Sequence, residues 1–143
     1  ACIPLLKKST NAHILNLSPP INMDMKWFTN HLAYTINKYN MSMIALGLAA
    51  ELKKYNIAAN TLWPRTTIAT AAVNNLLGGE MLMKMSRTTD IIADAAYYIL
   101  RKAAATCTGN SFIDEDVLAK EGITDLSKYS VVPGAQLYND LFV

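Results

Sequence analysis

Two short apolar runs flank one long helical stretch, and that arrangement limits the fold more than any other feature of the chain. The first run, residues 12–18, contains His13-Ile14-Leu15-Asn16-Leu17-Ser18 and stops at Pro19-Pro20. It alternates too little for a half-exposed strand and fits a buried parallel one. The second, Ile57 to Trp63, ends at Pro64. Between them the pattern from about Lys26 to Tyr55 is helical. Parallel strands need such a crossover, and it is right-handed in nearly all folds. Upstream, residues 1–9 read as the end of a helix and Asn11 as a turn. Downstream, residues 67–77 read as a short helix closed by Gly78-Gly79. The Met81–Met85 stretch is either helical or a mobile flap, and Asp90–Lys102 is an amphipathic helix. Gly109–Ile113 is a last short strand, and Asp114–Glu121 a helix closed by Gly122. Strand, helix, strand, helix, strand predicts an α/β fold with a three-stranded parallel sheet and flanking helices.

The composition suits this. A chain of 143 residues is one domain or part of one. Apolar residues make up 52% and charged residues 17%, which implies elements buried on two faces or a large subunit contact. The stretch Met41 to Ala50 is apolar or small on nearly every face, so the long helix is expected to be covered by the sheet on one side and by a partner helix on the other. A net charge of +2 gives no nucleic-acid or membrane signal. No apolar run reaches the roughly 18 residues of a membrane span. The 2 cysteines, Cys2 and Cys107, form neither a disulfide framework nor a metal pattern, which points to a reducing, intracellular setting. The opening Ala1-Cys2-Ile3-Pro4-Leu5-Leu6 has no initiator Met and no leader pattern, and reads as part of a longer chain whose beginning is missing. After Leu126 the pattern lapses, and residues 127–143, with Pro133-Gly134, read as an irregular tail or linker.

The chemistry lies in Ala33-Tyr34-Thr35-Ile36-Asn37-Lys38. Positions four apart share a helix face one turn apart. An ammonium beside a phenol favours the phenolate, and a Tyr tuned this way can give a proton to a carbonyl oxygen or take one from an alcohol. The spacing alone is common on solvated helix faces, and Tyr98-Ile99-Leu100-Arg101-Lys102 repeats it. Context separates the two: Tyr34 lies between two strands, whereas Tyr98 precedes a Thr/Gly loop.

Several short blocks occur together: Ile14-Leu15-Asn16-Leu17-Ser18-Pro19-Pro20, Ala33-Tyr34-Thr35-Ile36-Asn37-Lys38-Tyr39, Trp63-Pro64, Asp90-Ile91-Ile92-Ala93-Asp94-Ala95-Ala96-Tyr97, and Gly109-Asn110 with Ile113-Asp114-Glu115. In this set residues 1–126 resemble the C-terminal half of a short-chain dehydrogenase/reductase. The resemblance implies half of a Rossmann-like doubly wound parallel sheet, with the nucleotide-binding half missing. It implies an NADP- or NAD-dependent oxidoreductase acting on a hydroxyl or carbonyl of a lipid-like, fatty acyl or steroid-like substrate. Tyr34 would be the catalytic acid or base. Lys38 would lower its pKa and hold the nicotinamide ribose. The family's catalytic Ser falls at the end of the first strand. Here Pro19 occupies its position, so either Ser18 takes the role from a shifted loop or the site works without it. Pro64-Arg65-Thr66-Thr67-Ile68-Ala69-Thr70 matches a Pro-Gly segment whose backbone and Thr hydroxyl hold the nicotinamide carboxamide. Pro64, Thr66, Ile68 and Thr70 are the contacts so matched, although Arg65 stands where the family has Gly, and Thr66 or Thr67 could instead only cap a helix. The resemblance further implies homo-oligomers through the helix of residues 26–55, and a peroxisomal or mitochondrial location, otherwise a cytoplasmic one. The Gly-rich pyrophosphate turn is not in the chain. That leaves a second reading open, a non-catalytic interaction module with an incomplete cofactor site.

Overall fold

The structure is a computed structural model and describes residues 1–143. The chain forms two compact units. One comprises residues 1–63, 99–112 and Phe142; the other comprises residues 64–98, 113–141 and Val143.

The first unit is built on a three-stranded parallel sheet in the order β1 (Ala12–Leu17), β2 (Ile57–Trp63), β3 (Ser111–Ile113), with flanking helices, as in a Rossmann-like doubly wound fold. β1 and β2 run in register from Ala12 opposite Ile57 to Leu17 opposite Leu62. All seven residues of β2 are buried, as a central strand requires, and the polar Asn60 side chain is satisfied by donating to Cys107 O. β1 differs from its expected full burial. It lies at the edge of the sheet, and most of its side chains are half-buried. Ala12, Ile57 and Leu52 make a small core, onto which Ile3 and Leu6 of α1 (Ile3–Leu6) pack together with Ile14 and Leu48.

The crossover is two helices rather than one, α2 (Lys26–Thr29) and α3 (Leu32–Leu52). His31 leaves helical geometry at φ −136°, ψ 32° and precedes α3. No Gly or Pro marks this break, so the residue pattern could not reveal it. A short 3₁₀ turn, Lys53–Tyr55, extends α3, and Asn56 closes it in the left-handed region at φ 55°, a conformation Asn tolerates well. The buried face of α3 is Thr35, Tyr39, Ser42, Ala45, Ala49 and Leu52. These mostly small residues let the helix lie close to the sheet. A Cβ at Gly109, where φ is 77°, would come into ordinary van der Waals contact with Ala49 Cβ at 3.7 Å. On the other side Ile36, Met43, Ile44 and Leu46 are 43–56% exposed. Asn11 ties down the turn after residue 99: its amide nitrogen donates to Leu100 O and Lys102 O, and its carbonyl accepts from Ala104 N.

The second unit contains a π-helical turn, Val73–Leu77, α4 (Gly79–Lys84), the body of α5 (Asp90–Leu100) and α6 (Asp114–Lys120). The Met81–Met85 stretch is therefore mainly helical. Ile91 and Ala95 form the buried stripe of α5. Gly122 ends α6 at φ 82°, and Ile123 N donates back to Leu118 O, a closure that glycine permits without strain. The tail supplies the buried ring of Tyr129, whose hydroxyl donates to Asp94 Oδ2 at 2.6 Å. The helix expected over residues 67–77 begins only at residue 71, because residues 66–69 are extended and paired elsewhere in the chain.

Candidate functional site

Pro19 and Pro20 cannot extend the strand ladder, so the chain leaves β1 at Ser18 and turns towards α3. One face of α3 clasps this loop. Lys38 Nζ donates to Leu17 O at 3.1 Å, Tyr39 OH to Asn22 O at 2.5 Å and Ser42 Oγ to Pro19 O at 2.6 Å. From the strand side, Asn16 Nδ2 donates to Met41 O at 3.1 Å. Thr35 Oγ1 donates back to Trp27 O, which joins α3 to α2 across the break. Residues 35, 38, 39 and 42 follow helical spacing, so one face of the helix does this work. The predicted pair is thus on α3, one turn apart. Ser18 sits on the loop that Lys38 holds.

Aromatic rings fill the surroundings of the pair. Lys38 Nζ lies 5.9 Å from the Tyr34 ring centroid and 5.0 Å from that of Trp63, the last residue of β2. The Tyr34 ring stacks on Phe142 at 6.2 Å with an interplanar angle of 15°. Phe142 is itself buried and also meets Trp27, Tyr39 and Trp63 at 5.2–6.0 Å. Tyr34 keeps 42% of its surface exposed. Sequence reasoning missed Phe142, since a lone aromatic in an irregular tail carries no local signal. Ser18 is fully buried, and its Oγ has no hydrogen-bond partner in the chain. Near the same loop an apolar cavity of about 220 Å³ is lined by Ile21, Met23, Phe28, Ile36, Tyr39 and Met43.

The second group of predicted residues lies in the other unit. The segment from Pro64 to Thr70 is extended rather than helical at its start. Thr66 pairs with Asn139 in an antiparallel bridge and Ile68 with Arg87 in a parallel one. Thr67 Oγ1 is hydrogen-bonded to Ser86 Oγ at 2.8 Å. The helix that follows is capped by Thr70, whose Oγ1 accepts from Val73 N at 3.4 Å, and not by Thr66 or Thr67. Thr66 Oγ1 is buried and has no partner in the chain.

Beside this segment is a charged cluster. Asp114 opens α6 and is fully buried, and its Oδ1 accepts from Arg65 N at 2.9 Å and Glu115 N at 2.7 Å. Burial pushes its carboxyl up to about 6, against the lowering effect of those two N–H groups. Arg65 pairs with Asp116 at 2.7 Å. Arg87, nearly buried, donates to Glu115 Oε1 at 2.9 Å and to Leu126 O at 2.9 Å. Arg65, read as a departure from a family glycine, is therefore held by the first turn of α6. Nothing local to residues 64–70 could have shown this, since the partners lie about fifty positions away.

No protein-family profile matches the chain. The fold is that of short-chain dehydrogenases/reductases. A candidate dehydrogenase from Xanthomonas campestris superposes on all of this chain and 52% of its own, at 46% identity and a TM-score of 0.93. A short-chain dehydrogenase from Mycobacterium thermoresistibile matches 99% of this chain and 50% of its own, at 53% identity and a TM-score of 0.87. Among individual proteins, the chain is homologous to hydroxysteroid dehydrogenase-like protein 2. The Xenopus tropicalis protein is 57% identical over 142 residues, which are 99% of this chain and 33% of that protein. The chain therefore spans about a third of the length of the curated relatives it matches. No helix is long and apolar enough to cross a membrane.

Proposed function

We propose that this chain carries the catalytic pair and the nicotinamide-side segment of an NAD(P)-dependent oxidoreductase of the short-chain dehydrogenase/reductase type. In this reading it acts on a hydroxyl or carbonyl group of a lipid-like substrate. The observation that carries the reading is the placement of Tyr34 and Lys38 one turn apart on α3, with Lys38 anchored to the loop of Ser18 through Leu17 O. Two further observations fit the cofactor and substrate. Ser18 Oγ and Thr66 Oγ1 are buried hydroxyls without partners in the chain, and such groups are normally satisfied by a ligand or water.

The roles follow from the chemistry of each group. Tyr34 gives its phenolic proton to a substrate carbonyl oxygen, or takes one from an alcohol. The Lys38 ammonium stabilises the phenolate that forms. Ser18 donates to the substrate oxygen. Lys38 also holds the cofactor ribose, while Pro64, Thr66, Ile68 and Thr70 line its nicotinamide side. The cofactor, NADP or NAD, supplies or accepts the hydride when bound. The apolar lining of the cavity at Ile21 and Phe28 supports a lipid-like substrate.

The test is turnover by the full-length protein with acyl and steroid alcohols and both cofactors. Tyr34→Phe keeps the ring and removes only the transferable proton, so turnover should fall by about 10²-fold or more with cofactor binding retained. Wild-type turnover by that variant would sink the assignment. The exposed Ile36, Met43, Ile44 and Leu46 favour, in addition, a contact between two copies through α3.

A further inference from the structure

The segment from Arg65 to Ala69 has no helix or sheet of its own, yet its backbone is tightly held. Arg65 N donates to Asp114 Oδ1. Arg65 O accepts from Asp140 N at 3.0 Å, and Thr67 N donates to Tyr138 O at 2.9 Å. Thr67 O accepts from Arg87 N at 2.9 Å, and Ala69 N donates to Arg87 O at 2.8 Å. Every one of these bonds uses a backbone group of Arg65, Thr67 or Ala69. In extended chain successive residues turn their N–H and C=O to opposite sides. The ladder therefore turns the N–H and C=O of Thr66 and Ile68 away from the residues that bind Arg65, Thr67 and Ala69. These two are among the cofactor contacts proposed above.

We propose that Asp114 is a positioning residue for the cofactor segment, acting with a strap formed by Tyr138, Asn139 and Asp140. The proposal rests on the oxidoreductase reading of this site. Asp114 fixes the first residue after Pro64. The strap fixes Arg65 and Thr67 on one side, and Arg87 holds Thr67 and Ala69 in turn. Arg87 and Arg65 are tied to the first turn of α6 through Glu115 and Asp116. The carboxylate that accepts Arg65 N thus sits on the same turn as the two acids that hold the flanking arginines. A segment so restrained presents Thr66 and Ile68 in one arrangement before the cofactor arrives, which lowers the ordering cost of binding.

The experiment uses the full-length protein and its Asp114→Ala, Asp114→Asn and Arg65→Gly variants. Calorimetric titration reads the affinity for NADH and NADPH, and amide hydrogen exchange reads residues 65–69. Asp114→Ala should weaken cofactor binding by about tenfold, the scale of one lost charge-assisted hydrogen bond, and should speed exchange over residues 65–69. Asp114→Asn keeps an acceptor oxygen for Arg65 N and should restore both readouts to near wild type. Arg65→Gly changes a partly exposed side chain and carries the test should Asp114→Ala not fold. It should weaken cofactor binding by about two- to fivefold. Faster exchange with unchanged cofactor affinity would show a merely structural clamp and overturn the positioning role. Unchanged exchange would overturn the clamp itself. If the wild-type protein bound neither cofactor while exchange responded as described, the oxidoreductase reading would fall and the positioning role with it.

Discussion

Tyr34 and Lys38 are the residues on which the proposed function turns, and the consequences expected of changing them separate cleanly. In the full-length protein Lys38→Ala should reduce both turnover and cofactor affinity, because in the proposed function the ammonium would serve the phenolate and the ribose together. Steady-state kinetics with the cofactor varied checks this, and a variant with unchanged cofactor KM would deny Lys38 its binding role. Tyr98→Phe repeats the Tyr34 change at a pair with the same spacing and should leave turnover unchanged. Asp114 makes a different prediction at this scale. A carboxyl whose folded pKa lies above its ordinary value binds more protons folded than unfolded between about pH 4 and 6. Its contribution to stability is full below about pH 4 and is lost as pH rises through 6. Glu115 raises this pKa further, while Arg87 and the N–H of Arg65 oppose it. Asp114→Asn should therefore gain on wild type as pH rises from 4 to 7.5, by at most about 3 kcal/mol. Urea unfolding across that range reads it, and a pH-independent difference would mean that Asp114 does not titrate as stated.

At the scale of elements, α3 holds both the candidate catalytic pair and the proposed contact. Its buried face is mostly small and polar, with the Ser42 hydroxyl and the Tyr39 phenol bonded to the loop of residues 17–22, and its other side carries the larger aliphatic side chains. Lys at Leu46 should leave the fold intact, since that side chain is 43% exposed in the single chain. If two copies meet there, the same change buries a charge and should dissociate them. Sedimentation of the wild-type full-length protein as a monomer at micromolar concentration would remove this contact. How legible these elements were depended on whether their cause was local. β2 was read at the bounds the structure shows, since Asn56 and Pro64 punctuate the segment on either side. The break between α2 and α3 was not legible. It follows from His31 leaving helical geometry, with Thr35 bonding back to Trp27, and no breaker residue marks it.

At the scale of the whole molecule, the edge position of β1 matters most. Its outer backbone groups have no neighbouring strand in the sheet order β1, β2, β3, and its side chains are only half-buried. An open apolar edge pairs with other chains. The 143 residues alone should therefore tend to associate, and should bind NADH or NADPH no more tightly than about millimolar, since only nicotinamide-side contacts are proposed for them. Calorimetric titration of this chain checks the claim, and a micromolar dissociation constant from a soluble, cooperatively melting sample would overturn it.

The amino-acid sequence determined by itself the alternation of strands and helices, the parallel sheet and the shared face of Tyr34 and Lys38. These depend on periodicities of two and 3.6 residues and on local punctuation by Pro and Gly, all of which operate within a few positions. Tertiary structure alone decided that residues 66–69 are extended, because their backbone partners are Arg87 and Tyr138 to Asp140. It also decided that Phe142 stacks on Tyr34 and that Asp114 accepts the Arg65 amide. Each of these is a contact between positions tens of residues apart. Which hydrogen-bonding groups and rings meet at such separations is set by how the chain closes in space, and local propensity does not encode it.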